Sequence, residues 1–307
     1  MENRKVTTAH LLALATVIIW GTTFISTKIL LRDFTPVEIL FFRFTLGYVA
    51  LLMIYPHILK PQNWKQELLF AAAGLCGVTL YFLLENIALT YTLASNAGII
   101  VSIAPIFTAL LAHRLLDDER LQLCFFVGFG AAMMGISLVV LNGNYVLNLN
   151  PLGDFLATLA AVVWAVYSVL MKKISAFQYH IIHCTRKVFL YGLFFMLPAL
   201  FFSDFHWQMA RFAAPANWFN ILFLGFGASA LCFVTWNWSV GVLGAVTTSA
   251  YIYLVPVITM VTSAWVLQEP ITGMALLGAG LTLLGLYLSQ RKSDVKVKAE
   301  NNVAFDR

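Results

Sequence analysis

The sequence predicts an all-α membrane protein of ten transmembrane helices, arranged as two inverted five-helix repeats. Three observations carry this: the composition, ten apolar runs of membrane-spanning length, and a match between the two halves of the chain.

Of 307 residues, 61% are hydrophobic and only 11% are charged, and the mean hydropathy is +0.84. An ordinary soluble domain is roughly 45–50% apolar and about 25% charged. A soluble core of this size cannot bury the excess, whereas a bilayer solvates it and admits only helices or closed barrels. The apolar segments are continuous rather than alternating, so helices are expected. The net charge is +5. The basic residues sit between apolar runs, which points to the membrane surface and away from nucleic acid. Cys76, Cys124, Cys184 and Cys232 are dispersed, each within an apolar run, with no metal-ligand spacing.

Runs of about 20 apolar residues cross the hydrocarbon. They are expected at 10–31, 36–55, 67–89, 93–112, 121–141, 151–171, 179–202, 217–239, 243–267 and 271–290. The first run has no small-residue cleavage signal and reads as a span, not a signal peptide. The division near 90–93 rests on length, because 67–112 is twice what one span needs. The first repeat is expected over 8–141, the second over 150–290, and a polar, disordered tail over 291–307.

Orientation follows from the cations. With the N-terminus inside, thirteen Lys and Arg residues fall on inner loops and tails, among them Lys60, Arg114, Arg120, Lys172 and Arg291. Only Arg32 and Arg211 fall outside, which places both termini in the cytoplasm and the chain in the plasma membrane.

The halves match at a slowly drifting offset. Trp20 and Lys28 pair with Trp164 and Lys172 at offset 144. Phe82, Asn86, Ala94, Pro105 and Thr108 pair with Phe233, Asn237, Ala245, Pro256 and Thr259 at offset 151. Glu119, Gly128, Gly130 and Gly135 pair with Glu269, Gly278, Gly280 and Gly285 at offset 150. Five spans per half is an odd number, so the second half enters the membrane from the opposite side. Inverted repeats of this kind are characteristic of secondary transporters, with the substrate site at the repeat interface.

Several of these residues also carry a family resemblance. The Trp20-Gly21 pair, Arg43 in the second span, Pro105 in the fourth, the LDDERL stretch at 116–121 and the glycine-rich fifth span resemble the EamA family of the drug/metabolite transporter superfamily. The resemblance covers residues 8–290 as two EamA units. It implies ten spans, a central cavity and export of amino acids or other small metabolites. The second unit departs from the pattern at Ala165, where a glycine is expected, and at Pro270 after Glu269.

Candidate functional residues are the polar and aromatic groups inside spans. Glu85 lies about four residues from the outer end of its span. A charge at mid-bilayer costs about 2.5–3.5 kcal/mol on insertion scales, so it faces a cavity, a partner or the interface. Two readings stand side by side: a substrate or proton site, or an interfacial carboxylate paired with Lys28. Asn86 and Asn237, and Asn96 with its mate Thr247, serve either as helix–helix hydrogen bonds or as solute contacts. Arg43 and Arg186 read as structural cations bonded to helix ends or carbonyls, with a counter-ion role for an anionic substrate as the alternative for both. Trp20 and Trp164 fall near mid-span, and with Tyr81, Trp236 and Tyr251 they supply aromatic walls. His183 reads as a hydrogen-bonded bundle histidine. Pro105 and Pro256 are hinge or kink candidates. The expected cavity set is therefore Trp20, Tyr81, Glu85, Asn86, Asn96, Trp164, Trp236, Asn237 and Tyr251.

No catalytic residue, cofactor or metal is expected. No P-loop, HExxH or GxSxG motif occurs. The expected function is a secondary transporter, an exporter working by alternating access; the alternatives are an intramembrane lipid-modifying enzyme and a channel or scaffold subunit. Expected partners are a small-molecule solute and the bilayer. A coupling proton and a homodimer are open options.

Overall fold

A computed structural model describes residues 2–57, 59–60, 62–91, 94–117, 119, 122–141, 150–202, 209–267 and 271–290. Among these residues every regular element is helical. Ten helices are long and apolar enough to cross a membrane: Asn3–Thr27, Pro36–Ile54, Trp64–Ala88, Gly98–Leu115, Leu123–Leu141, Pro151–Ser175, Ile181–Phe202, Pro215–Leu243, Ala245–Thr262 and Gly273–Gln290. They are called the first to tenth spans below. The expected tail lies outside the described residues.

Local chemistry sets the span ends. Thr35 caps the second span in a reciprocal capping box with Glu38, with Pro36 in the first turn. Asn150 caps the sixth by accepting from the N–H groups of Leu152 and Gly153, and Lys172 and Lys173 occupy its last turn, where the helix dipole favours cations.

The packing maps onto itself when each span is exchanged with the one five places along. The first span packs on the eighth and ninth, and the sixth packs on the third and fourth. The second packs on the seventh and eighth, and the third packs on the seventh. The second and seventh, the fourth and ninth, and the fifth and tenth pair with each other. Irregularities repeat as well. Leu75–Leu80 in the third span and Phe223–Leu231 in the eighth are π-helical. The fourth span is interrupted between Val101 and Ala104, just before Pro105. The ninth tightens to a 3₁₀ turn at Ala250–Tyr253, just before Pro256. Each proline therefore follows a break in its helix instead of bending a continuous one.

The fifth and tenth spans touch backbone to backbone. A Cβ at Gly135 would sit 2.5 Å from the Gly278 carbonyl oxygen, and one at Gly285 would sit 2.4 Å from the Ala132 nitrogen. Small residues permit this approach, which in lipid replaces the hydrophobic effect as a source of association. The middle glycines of the two triplets, Gly130 and Gly280, meet nothing within 4 Å. Gly21 has a comparable role beside Trp20, since a Cβ there would lie 2.6 Å from Ile258 of the ninth span.

The second and eighth spans are also tied through the segment that precedes the eighth. Arg211 donates to both carboxylate oxygens of the fully buried Glu38, each at 2.9 Å, and lies over the Phe34 ring. Asn217 donates to Asp33 at 2.7 Å.

Candidate functional site

The cavity lies where the repeats meet. Its walls come from the first span (Trp20, Thr23, Thr27), the second (Arg43), the third (Tyr81, Phe82, Glu85, Asn86), the fourth (Val101), the sixth (Trp164) and the ninth (Ile252, Val255). Non-atom space within it, its mouth included, amounts to about 750 Å3.

Aromatic rings form its floor. The Trp20 and Trp164 rings meet edge to face at 5.5 Å, Trp164 approaches Tyr81 at 4.8 Å, and Trp20 approaches Trp236 at 5.0 Å. Trp20 is fixed by its indole N–H, which donates to the Ala228 carbonyl at 3.0 Å in the π-helical stretch of the eighth span. Aromatic pairs of this kind add about 0.5–1.5 kcal/mol beyond area burial.

Two opposite charges stand in the wall. The Glu85 carboxylate accepts a hydrogen bond from the Tyr81 hydroxyl, one turn earlier, at 3.1 Å. The Arg43 Nε donates to Ser229 Oγ at 3.0 Å, and its guanidinium carbon lies 4.6 Å from the Phe82 ring centre. The ion pairs among the described residues are Lys187–Glu67 and Arg211–Glu38, so Arg43 and Glu85 do not approach within ion-pair distance. Asn86 reaches the Pro36 carbonyl at 3.5 Å, a marginal bond that leaves its amide facing the cavity.

Of the nine residues expected from sequence, Trp20, Tyr81, Glu85, Asn86 and Trp164 line the cavity. Three others stand elsewhere. Trp236 is fully buried behind Trp20. Asn237 is fully buried and joins helices, accepting from Tyr167 at 2.7 Å and donating to Thr185 at 3.1 Å. Tyr251 is turned towards the first span, with its hydroxyl 2.9 Å from His10 Nδ1. The side chains of Asn96 and Lys28 lie outside the described residues. The structure therefore gives Glu85 the partner Tyr81, and the Lys28 pairing is not part of what is described.

The two arginines are placed differently. Arg186 donates to the carbonyls of Tyr55 and His57. Arg43 lines the cavity. Lys187 pairs with Glu67 at 2.8 Å and donates to the Leu59 carbonyl. His183 bonds to the backbone of His57 and packs edge to face on Tyr55. Thr23, Thr27, Val101, Ile252 and Val255 carry no chemical signal in the sequence, and only the fold brings them to the wall.

The EamA-like transporter family matches residues 7–141 and 151–290, which is almost the whole chain in two units. The chain belongs to this family. It is a multi-pass membrane transporter and not an enzyme. An uncharacterized transporter of Archaeoglobus fulgidus is 28% identical over 92% of this chain and 97% of its own length. A probable terminal-alkyne amino-acid exporter of Streptantibioticus cattleyicolor is 28% identical over 91% of this chain and 92% of its own. A probable amino-acid metabolite efflux pump of Escherichia coli is 26% identical over 91% and 93%. A protein crystal structure shares the fold with a TM-score of 0.74 at 19% identity, over 92% of this chain and 97% of that one.

Proposed function

We propose that this transporter exports amino acids or similar zwitterionic metabolites by alternating access, from a plasma membrane in which both of its termini are cytoplasmic. One observation carries the reading: a guanidinium and a carboxylate stand in the same aromatic-walled cavity with no direct ion pair between them. An α-amino acid presents a carboxylate and an ammonium group a few ångströms apart. Arg43 offers the planar fork that suits the first, and Glu85 offers the acceptor that suits the second. Trp20, Tyr81, Phe82 and Trp164 offer an apolar enclosure for a side chain. A zwitterion seated between them would gain charge-assisted bonds to both groups.

The names of the two amino-acid exporting relatives support the same solute class. The paired helix breaks before Pro105 and Pro256 support movement of the fourth and ninth spans around the site, as in transporters whose discontinuous helices flank a central site. Glu85 is the carboxylate available for proton coupling. A channel would need a continuous polar path, and beneath this cavity lies an aromatic floor.

The test is counterflow in proteoliposomes loaded with a large neutral amino acid. Competition by that amino acid, with about tenfold weaker competition by the amine lacking its carboxylate and by the acid lacking its amine, is the expected result. Equal competition by all three overturns the zwitterion reading. Absence of saturable flux for any solute of this class overturns export of amino acids.

A further inference from the structure

We infer that Glu119 is a gating latch which holds the cavity shut at the end of the bundle carrying the chain termini. Glu119 follows the fourth span, within the LDDERL stretch, and is not among the residues lining the cavity. Its two carboxylate oxygens accept hydrogen bonds from consecutive backbone N–H groups at the start of the ninth span: one takes Ala245, the other takes Val246 at 2.7 Å. Bonds from an ionised carboxylate to backbone donors are roughly twice as strong as neutral ones.

The residue beneath the carboxylate is shaped for it. Gly244 has φ +92°, a conformation that L side chains rarely adopt, and a Cβ there would lie 2.8 Å from Glu119 Oε1. Glycine thus meets two requirements at once, the turn and the room for the acid. A second clasp reinforces the same turn: Lys172, at the end of the sixth span, donates to the Gly241 carbonyl at 3.1 Å.

What Glu119 joins matters for transport. The fourth and ninth spans both contribute to the cavity wall, through Val101 and through Ile252 and Val255. The cavity extends from the Trp20–Trp164 floor towards Thr27 and Asn86, at the end away from the termini. On the other side of that floor lie the buried Trp236, Tyr167 and Asn237. Opening the cavity towards the termini requires the fourth and ninth spans to part at the point where Glu119 ties them.

Tied in this way, the start of the ninth span is held against the end of the fourth, which biases the transporter towards the state closed on the side of its termini.

The test uses the full chain in membrane vesicles of both orientations, with Thr23→Cys as a reporter in the cavity wall and a membrane-impermeant thiol reagent. Labelling of the chain with its native cysteines alone is subtracted. With Glu119 intact, the reporter is expected to label at least fivefold faster from the side away from the termini. Glu119→Ala is expected to raise labelling from the terminal side severalfold, and Glu119→Gln, which retains one acceptor oxygen, by less. Equal labelling from both sides with Glu119 intact overturns the inference. So does unchanged sidedness in the Gln variant or in whatever fraction of the Ala variant folds, since a merely structural role would lower the folded yield without changing the side of access. The measurement needs no solute, so its outcome is independent of the exporter reading.

Discussion

Arg43 and Arg186 hold corresponding places in the second and seventh spans and make opposite uses of the same group. Arg186 spends its fork on two main-chain carbonyls, those of Tyr55 and His57. Arg43 is anchored through Nε on Ser229, lies over the Phe82 ring and lines the cavity.

The two arginines should therefore fail differently. Arg186→Met leaves two carbonyls without a charged donor, each such bond contributing about 1.5–3 kcal/mol; the expected outcome is a Tm lowered by several degrees in a detergent thermal-shift assay. Arg43→Lys keeps the charge but loses the planar fork, and should fold normally while zwitterion counterflow falls about tenfold or more, the effect of about 1.4 kcal/mol in binding. Competition by an amine lacking the carboxylate should be little affected. Matching stability losses in the two variants would contradict this division.

Glu85 is expected to act in transport more than in folding. Its repeat mate is Trp236, so no symmetric structural role requires an acid at this position. Glu85→Gln preserves size and the acceptor for the Tyr81 hydroxyl while removing the titratable proton. Near-normal membrane levels, with loss of most saturable flux or of its pH dependence, are expected. Normal flux with an unchanged pH profile would remove Glu85 as the coupling carboxylate.

The glycine contacts between the fifth and tenth spans make a graded prediction. Gly135→Ala places a methyl group 2.5 Å from a carbonyl oxygen, and overpacking of this kind costs about 1–3 kcal/mol. Gly130→Ala meets no atom within 4 Å and should leave the Tm within about a degree of the parent, given that surface changes usually fall within ±0.5 kcal/mol. Comparable melting of the two variants would show that the seam is not tightly packed in the membrane.

Orientation is open to a direct check. Gln62→Cys, in the loop between the second and third spans, should react with an impermeant reagent only from the cytoplasmic side, and Met209→Cys, before the eighth span, only from outside. Reaction of position 62 in intact cells would invert the topology.

The spans were legible because hydrocarbon leaves a chain few options: length and apolarity alone locate a helix that must satisfy its own backbone. The inverted repeat was legible because paired tryptophans, prolines and glycines survive at ordered offsets. The cavity was legible only where a residue type is costly or unusual in lipid, as with Glu85, Asn86, Trp20, Trp164 and Tyr81. A lone arginine in a span gives the same signal whether it faces carbonyls or a solute, so the sequence leaves Arg43 open between the two. Trp236 and Asn237 were placed in the wall because polarity and ring size say nothing about which face of a buried helix a side chain occupies. The π-helical turns depend on an i+5 hydrogen-bond register that has no signature in the order of residues. Glu119 is visible in the sequence as a term of the repeat, but residue order does not show that its carboxylate meets the start of the ninth span.

The exchange of contacts between spans five places apart means that the cavity belongs to neither half alone, yet its chemistry comes mostly from one. Tyr81, Glu85 and Asn86 all lie in the third span, and their mates in the eighth are Cys232, Trp236 and Asn237, each buried among other side chains. Duplication of a five-helix unit thus ended in a division of labour: one copy supplies most of the cavity's polar groups and the other packs behind them. Two identical copies could not share the task. A cavity built from the first unit twice would gather two guanidiniums and two carboxylates in one apolar enclosure. A cavity built from the second unit twice would have nothing left with which to recognise a charge.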